Sequence, residues 1–249
     1  HYDYALKAIE KGLHFFIAKP VTQTLEQAED ILIKCRENSI KAQVGHVERY
    51  NPAFIGAKDY IQNPMFIEIH RLAEFNPRGT DVSVVLDLMI HDLDILLSVV
   101  KSKVKNIHAS GVCVVSKTPD ITNARIEFEN GCVANLTTSR ISMKAMRKSR
   151  FFQKDAYISV DFLEKKAEVI RMKDAPENPT PFDMIIENAE GEKNQILFEY
   201  PNIQPNNAIL DELNSFADAI LEEKNVEVSL EDGTEALKVA LKIMDLIKV

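Results

Sequence analysis

The chain has 249 residues, of which 45% are hydrophobic and 27% are charged, and its formal net charge is -8. This acidic balance excludes the basic footprint of a nucleic-acid-binding protein, and no segment approaches the roughly 18 consecutive apolar residues of a membrane-spanning helix. The three cysteines show no C-x-x-C spacing, which fits a reduced compartment better than a disulfide framework, so we expect a cytoplasmic protein.

The first 46 residues alternate predicted helices with short predicted strands. These elements are a helix at residues 2–11, a strand at 14–17, a helix at 24–38 and a strand at 42–46. Gly12 is a suitable residue to end the first helix, and Thr24 with Gln27 forms a capping box at the start of the second. Helices and strands that alternate at this spacing indicate a parallel α/β sheet.

Strand-like runs dominate the rest of the chain. The predicted elements are a helix at residues 52–61, strands at 65–73, 107–116, 124–129, 132–139, 156–162, 167–172 and 196–200, and helices at 207–222 and 231–247. Pairs such as Asn130-Gly131 between strands suit antiparallel hairpins. We therefore expect an α/β unit over residues 1–46, followed by an α+β domain with a large, mostly antiparallel sheet over residues 47–249.

An Asp-x-x-x-His pair, Asp87 and His91, lies inside the apolar run at residues 86–97. Residues four apart on a helix share a face, so we expect Asp87 to orient the ring of His91 and to stabilise its charged form. An imidazole held in this way suits a general base that takes a proton from an alcohol near neutral pH. The alternative is a solvated ion pair or a helix cap.

A further interpretation treats Asp87, His91 and Asp94 as metal ligands of a hydrolase. Asp94 lies three residues after His91 and shares part of its helix face. A metal site needs a fuller ligand set, and the sequence shows no second His/carboxylate cluster to complete one. Four further histidines show no ligand spacing and are expected to be structural, namely His14, His46, His70 and His108.

Polar residues follow the second predicted strand, at the edge where α/β units bind ligands. Arg49, Tyr50 and Asn51 are therefore candidate substrate-binding residues. In the alternative, Asn51 is the N-cap of the next helix and Pro52 is its first residue; both interpretations can hold together. Arg71 lies on the strand that leads toward the Asp-x-x-x-His helix. It either contacts a phosphate or carboxylate of the substrate or, in the simpler interpretation, is an exposed sheet residue.

Four basic residues cluster after a long predicted strand, at Lys144, Arg147, Lys148 and Arg150. This cluster either contacts a diphosphate substrate or a neighbouring subunit, or it forms a solvated hairpin, which is the simpler interpretation. The eight glycines form no G-x-G, although dinucleotide-binding folds normally place G-x-G-x-x-G after their first strand.

Five segments carry a family resemblance. They are residues 8–12, 18–20 and 44–52, the pair Asp87 and His91, and residues 230–237. In this order and spacing the chain resembles the Gfo/Idh/MocA family of NAD(P)-dependent oxidoreductases, with Ala18 where the family usually has a Glu before its Lys-Pro. The segment at residues 46–52 is similar to that of members resembling UDP-N-acetylglucosamine 3-dehydrogenases.

The resemblance implies hydride transfer between the nicotinamide of NAD or NADP and a hydroxyl carbon of a sugar, cyclitol or nucleotide-sugar. It nominates a UDP-N-acetylamino sugar as the substrate. It also implies that His91 is the catalytic acid/base, that Asp87 holds the tautomer of His91, and that Lys19 reaches the same hydroxyl or the nicotinamide ribose. Lys19 and Pro20 are then cofactor-binding residues, and Pro20 admits a cis peptide bond.

For the fold, the resemblance implies that residues 1–46 are the α/β remnant of a Rossmann-type domain, because the family's glycine-rich segment would precede His1. It further implies a homodimer or homotetramer that assembles through the large sheet. An alternative function follows from the absent G-x-G, namely a non-catalytic substrate-binding or assembly fragment that lacks the cofactor phosphate site.

Overall fold

The computed structural model describes residues 1–77, 79 and 82–247. In chain order the regular elements are α1 (Tyr2–Glu10), β1 (Phe15–Ala18), α2 (Leu25–Glu37), β2 (Ala42–Gly45), α3 (Pro52–Ala57), β3 (Phe66–Leu72), α4 (Ile90–Val99), β4 (Val104–Val112), β5 (Ile121–Phe128), β6 (Val133–Ser139), β7 (Met146–Phe152), β8 (Ala156–Asp161), β9 (Lys166–Asp174), β10 (Met184–Glu187), β11 (Lys193–Glu199), α5 (Ala208–Leu221) and α6 (Leu230–Leu246). Two 3₁₀ turns, Val47–Tyr50 and Lys58–Tyr60, and one π-helical turn, Val85–Met89, complete the set. No helix in this described part is long and apolar enough to cross a membrane.

The first sheet contains β1 and β2, which pair in parallel as the alternation of elements predicts. Gly12 follows α1 with a φ of 66°, and the Thr24 side chain accepts the Gln27 N–H at the start of α2. The core of this unit also includes Val228, Leu230 and Leu237. Helix α6 therefore packs into both hydrophobic cores of the molecule. The domain boundary between residues 46 and 47 stays a prediction.

The second sheet has nine strands in the order β10-β11-β9-β8-β7-β3-β6-β5-β4. All of its pairs are antiparallel except β3 with β6, which confirms the expected mostly antiparallel sheet. Side chains alternate across it, so that Ile67 and Ile69 of β3 lie in the core with Ile158 and Val160 of β8. Helices α3, α4 and α6 cover this buried face.

The basic cluster is the main error in the predicted strands. The solvated-hairpin interpretation is wrong, because β7 is an internal strand between β3 and β8. Ser149 and Phe151 face the core and are 1% and 0% exposed, whereas Lys148 and Arg150 lie on the opposite face. The short strand β10 is also absent from the sequence-based elements, and the helix predicted over 52–61 ends at Ala57 before a 3₁₀ turn.

The helix of the Asp-x-x-x-His pair is not regular. Residues Val85–Met89 form a π-helical turn, and α4 begins only at Ile90. Hydrogen bonds in a π turn run to the fifth residue, so residues four apart do not stack as they do on an α-helix. Single π turns of this kind are frequent at functional sites, and this one carries Asp87.

Candidate active site

Three elements bring candidate residues to one edge of the small parallel sheet. Ala18 and Gly45 are the last paired residues of β1 and β2, so Lys19 and His46 follow at the same carboxyl edge. The Lys19–Pro20 peptide bond is cis. Helix α4 adds His91, whose ring centroid lies 6.2 Å from that of His46. This edge is where α/β sheets bind ligands.

The Lys19 ammonium points at the π turn. Its Nζ donates to the backbone oxygen of Asp87 and lies 3.5 Å from Oδ1 of the same residue. Burial lowers the pKa of Lys19, Arg71 lowers it further, and Asp87 offsets part of this change. An ammonium has three donors and the Lys19 side chain is 20% exposed, so one N–H remains for a ligand.

The expected pairing of Asp87 with His91 is wrong. Asp87 is paired with Lys19 instead, and within the described residues Nδ1 of His91 has no hydrogen-bond partner. Burial, followed by the charges of Arg71 and Lys19, holds the pKa of His91 well below its usual range. The charged imidazolium is therefore disfavoured in the folded protein.

His46, which the sequence analysis expects to be structural, lies beside His91. It is 1% exposed, and its ring meets His91 edge-to-face with an interplanar angle of 88°. Neither of its ring nitrogens has a hydrogen-bond partner in the part of the chain that is described. The available signal was positional, because His46 directly follows the last residue of β2.

Arg71 is buried in an ion-pair network. Its guanidinium makes three hydrogen bonds of 2.9–3.0 Å to Asp92 and one of 3.0 Å to Glu48. Arg71 is only 3% exposed, so the simpler interpretation, an exposed sheet residue, is wrong. The carboxylates that Arg71 contacts belong to the protein. Substrate contact by Arg71 stays a prediction, and its burial argues against it.

The three residues after β2 are also held by the protein. Arg49 makes a bidentate pair with buried Asp94 at 2.7 and 2.8 Å, and the Tyr50 hydroxyl lies 3.1 Å from the Ser215 hydroxyl. Asn51 caps α3 by accepting the Ala53 N–H, which confirms the helix-start interpretation. Substrate contact by Arg49, Tyr50 and Asn51 stays a prediction.

The metal-ligand interpretation of this helix finds no support in the geometry. Asp94 is occupied by Arg49, and Asp87 is occupied by Lys19. Among residues 1–77, 79 and 82–247, no group of three His, Cys, Asp or Glu side chains could hold a metal ion.

The same residues fit the nicotinamide end of a dinucleotide. Lys19 offers a donor at the sheet edge, and its charge acts on the imidazole of His91. The 249 residues contain no G-x-G, so the chain supplies no phosphate loop of the G-x-G-x-x-G type. Cofactor binding by Lys19 and Pro20 stays a prediction, and it concerns the nicotinamide and its ribose.

Two family models match the chain. The model for the oxidoreductase family with an NAD-binding Rossmann fold matches residues 1–46, and the GFO/IDH/MocA C-terminal domain model matches residues 65–153. The UDP-N-acetylglucosamine 3-dehydrogenase of Acidithiobacillus ferrooxidans is 35% identical over 174 residues, which are 68% of this chain and 54% of that protein. The scyllo-inositol 2-dehydrogenase (NAD(+)) of Bacillus subtilis is 26% identical over 157 residues, 57% of this chain and 46% of that protein.

Solved structures show the same fold. The UDP-N-acetylglucosamine 3-dehydrogenase GnnA from Acidithiobacillus ferrooxidans superposes with a TM-score of 0.87 at 29% identity, over 99% of this chain and 75% of that one. A levoglucosan dehydrogenase in complex with NADH and L-sorbose gives a TM-score of 0.79 at 16% identity, over 99% of this chain and 74% of that one, which shows a shared fold alone. The chain spans about half the length of the curated relatives it matches. It belongs to the Gfo/Idh/MocA family of oxidoreductases.

Proposed function

We propose that this protein transfers a hydride between the nicotinamide of NAD or NADP and a hydroxyl carbon of a UDP-linked N-acetylamino sugar. The observation that carries the proposal is that Lys19 follows β1 at the carboxyl edge of the parallel sheet and that its charge acts on the imidazole of His91. A cationic donor and a neutral imidazole are the two groups needed to handle the hydroxyl proton. The 35% identity to a UDP-N-acetylglucosamine 3-dehydrogenase supports the choice of substrate.

His91 is the catalytic acid/base in this proposal. Nδ1 is sealed from solvent and unpartnered within the described chain, so in this proposal Nε2 is the nitrogen that contacts the ligand. A neutral imidazole accepts the hydroxyl proton at Nε2 and returns it in the reverse direction. The nicotinamide, when bound, supplies the hydride chemistry.

Lys19 supplies the charge in this proposal. Its ammonium stabilises the alkoxide character that develops as the hydroxyl loses its proton. Asp87 accepts from Nζ through its backbone oxygen, so the role of Asp87 is to hold Lys19 in place rather than His91. Half of the Asp87 side chain is exposed, which leaves it open to the ligand side.

A substrate and cofactor panel tests the proposal. NAD and NADP are offered with UDP-N-acetylglucosamine, N-acetylglucosamine or scyllo-inositol, and reduced nicotinamide is followed by absorbance. We expect turnover with the UDP-sugar, and a loss of about 10²-fold or more in His91→Ala with an unchanged unfolding temperature. Near-normal rates in His91→Ala and Lys19→Ala would contradict the assignment. Saturable binding of the UDP-sugar without turnover would instead favour the non-catalytic binding fragment.

We also propose that a second copy of the chain covers the open face of the nine-stranded sheet. Met172, Ile196 and Met184 lie side by side across β9, β11 and β10, and Phe152 and Phe198 on the same face are 36% and 51% exposed. Exposed apolar patches of this kind mark association sites. Light scattering is expected to give a dimer or tetramer that Phe198→Glu dissociates; a monomeric wild type would contradict this.

A further inference from the structure

Two imidazoles meet at the carboxyl edge of the β1–β2 sheet. His46 follows the end of β2, and His91 belongs to α4. The rings of His46 and His91 are edge-to-face with centroids 6.2 Å apart. Both ring nitrogens of His46 and Nδ1 of His91 are sealed from solvent, and none has a hydrogen-bond partner among the residues that the structure describes. The arrangement is therefore a buried pair in which three polar atoms have no donor or acceptor among the described residues.

A bridging oxygen atom would give these nitrogens the hydrogen-bond partners that they lack among the described residues. A buried polar atom without a partner costs free energy, and buried water is the usual remedy because one molecule makes about three hydrogen bonds. A neutral imidazole has one N–H and one lone pair. One water can therefore accept the N–H of one ring and donate to the lone pair of the other.

The charges around the two rings decide which ring donates. His46 faces carboxylates as well as cations: Asp94 of α4 and Asp232 of α6 favour its protonation, whereas Arg49 and Lys19 oppose it. Burial and the charged groups that act most on His91 oppose its protonation, and these groups are Arg71 of β3, Lys19, His46 and Arg147 of β7. His46 is thus the better proton acceptor, and His91 is the better donor through its Nδ1–H.

We propose that His46 is a positioning residue which, through one bridging water, accepts the Nδ1–H of His91 and holds the His91 tautomer with its lone pair on Nε2. This inference rests on the proposed function, because it supplies the form of His91 that takes a proton from the substrate. When Nε2 takes that proton, Nδ1–H stays on the bridge, so the bridge also stabilises the imidazolium that forms. His46 itself touches neither substrate nor cofactor.

Long-range ¹H–¹⁵N spectra of the histidine rings test this directly. In the wild type we expect His91 to be a single tautomer with its proton on Nδ1. His46→Phe keeps the ring contact but removes both nitrogens, and should give a mixture of tautomers. His46→Gln returns an acceptor and should restore the wild-type pattern. The matched control is His70→Phe, because His70 also has an unpartnered Nδ1 but lies on the opposite face of β3 from Ile69 and Arg71.

Turnover gives the second readout. His46→Phe is expected to lower kcat roughly 10- to 100-fold with little change in KM, and His46→Gln should recover most of the loss. The spectra need neither cofactor nor turnover. An inactive wild type therefore counts against the proposed function, while an unchanged His91 tautomer in His46→Phe overturns the role of His46.

A crystal structure of the wild type keeps the inference testable if His46→Phe does not fold. An ordered oxygen within hydrogen-bond distance of both rings would support the bridge. Two rings in direct contact with no such atom, or a wild-type His91 protonated on Nε2, would overturn it.

Discussion

Two neighbouring regions of this molecule treat their buried polar groups in opposite ways. In the ion-paired layer, Arg71 is paired with Asp92 and Glu48, and Arg49 is paired with Asp94. At the edge itself, His46 and His91 keep nitrogens without a partner in the described chain. A paired buried charge is part of the scaffold, whereas an unpaired buried polar group indicates a place where a ligand or water completes the site.

The two regions are electrostatically connected. Arg71 and Lys19 both disfavour the charged form of His91. Burial lowers the pKa of His91 most, and the Arg71 guanidinium lowers it further, so the paired layer also bears on the protonation of this imidazole. Disrupting the scaffold should first cost stability, and disrupting the edge should first cost activity.

The largest expected effect is on the scaffold. Arg71→Met removes the ion-pair partner of buried Asp92 and leaves Glu48 with Arg147 and Asn51, and removing one member of a buried ion pair costs about 3–5 kcal/mol. Urea unfolding measures this loss. The matched control is Arg125→Met, which removes an exposed pair with Glu127 worth about 0–1 kcal/mol. Equal losses in the two variants would show that burial of the Arg71 network does not matter.

The next effect concerns the edge. Lys19→Met keeps the apolar stem and removes the ammonium, so kcat/KM should fall about 10²- to 10³-fold while the free energy of unfolding changes by less than about 1 kcal/mol. Steady-state kinetics and urea unfolding of the same preparation separate the two. If Lys19→Met were destabilised as strongly as Arg71→Met but kept its turnover, Lys19 would belong to the scaffold and not to the active site.

A pH-dependent effect of intermediate size is expected at Glu212 of α5. Burial, aided by Asp94, raises the pKa of Glu212 from 4.5 to about 7. Because the folded-state pKa lies above the unfolded one, the associated stability is present below about pH 4.5 and is lost as the pH rises through 7.

Glu212→Gln should remove this pH dependence, so its stability relative to the wild type should improve by about 2 kcal/mol between pH 5 and pH 8. Urea unfolding at the two pH values measures the difference. Glu10→Gln, at an exposed position of α1, is the control and should show no such change. Parallel pH curves for the wild type and Glu212→Gln would contradict the raised pKa.

The smallest effect concerns the helix that packs into both cores. Ser229 accepts the Asp232 N–H at 3.1 Å, and Asp232 accepts the Ser229 N–H at 3.0 Å, so the two form a capping box at the start of α6. Ser229→Ala should cost about 1 kcal/mol, measured by thermal unfolding. Ser229→Thr keeps the hydroxyl and should retain most of that stability.

Local features of the chain could be predicted from sequence because their physics is local. The Thr24 cap of α2 and the alternating strands of the large sheet depend on residues within a few positions of one another. The sequence does not predict strand β7, because the charged Lys148 and Arg150 favour a solvated hairpin. The buried side of the strand, with Ser149 and Phe151, is evident only in the structure. The strand has one polar face and one buried face.

Pairings across the fold could not be predicted in the same way. Lys19 and Asp87 are 68 residues apart, and the π turn that presents Asp87 removes the four-residue stacking on which its pairing with His91 depends. Arg71 of β3 and Asp92 of α4 are 21 residues apart in the sequence. Burial of the arginine therefore follows only from the tertiary packing. The sequence thus nominates Lys19 and His91 as candidate residues, but it pairs Asp87 with His91, whereas Asp87 is paired with Lys19.

Titration with UDP-N-acetylglucosamine, followed by NMR, measures most directly whether the unpaired edge holds the substrate. We expect saturable shifts of the His91 ring protons and of the methylene beside the Lys19 ammonium, while the exposed His108 ring on β4 stays unchanged. Saturable binding that leaves His91 and Lys19 unshifted would contradict the assignment of this edge as the active site.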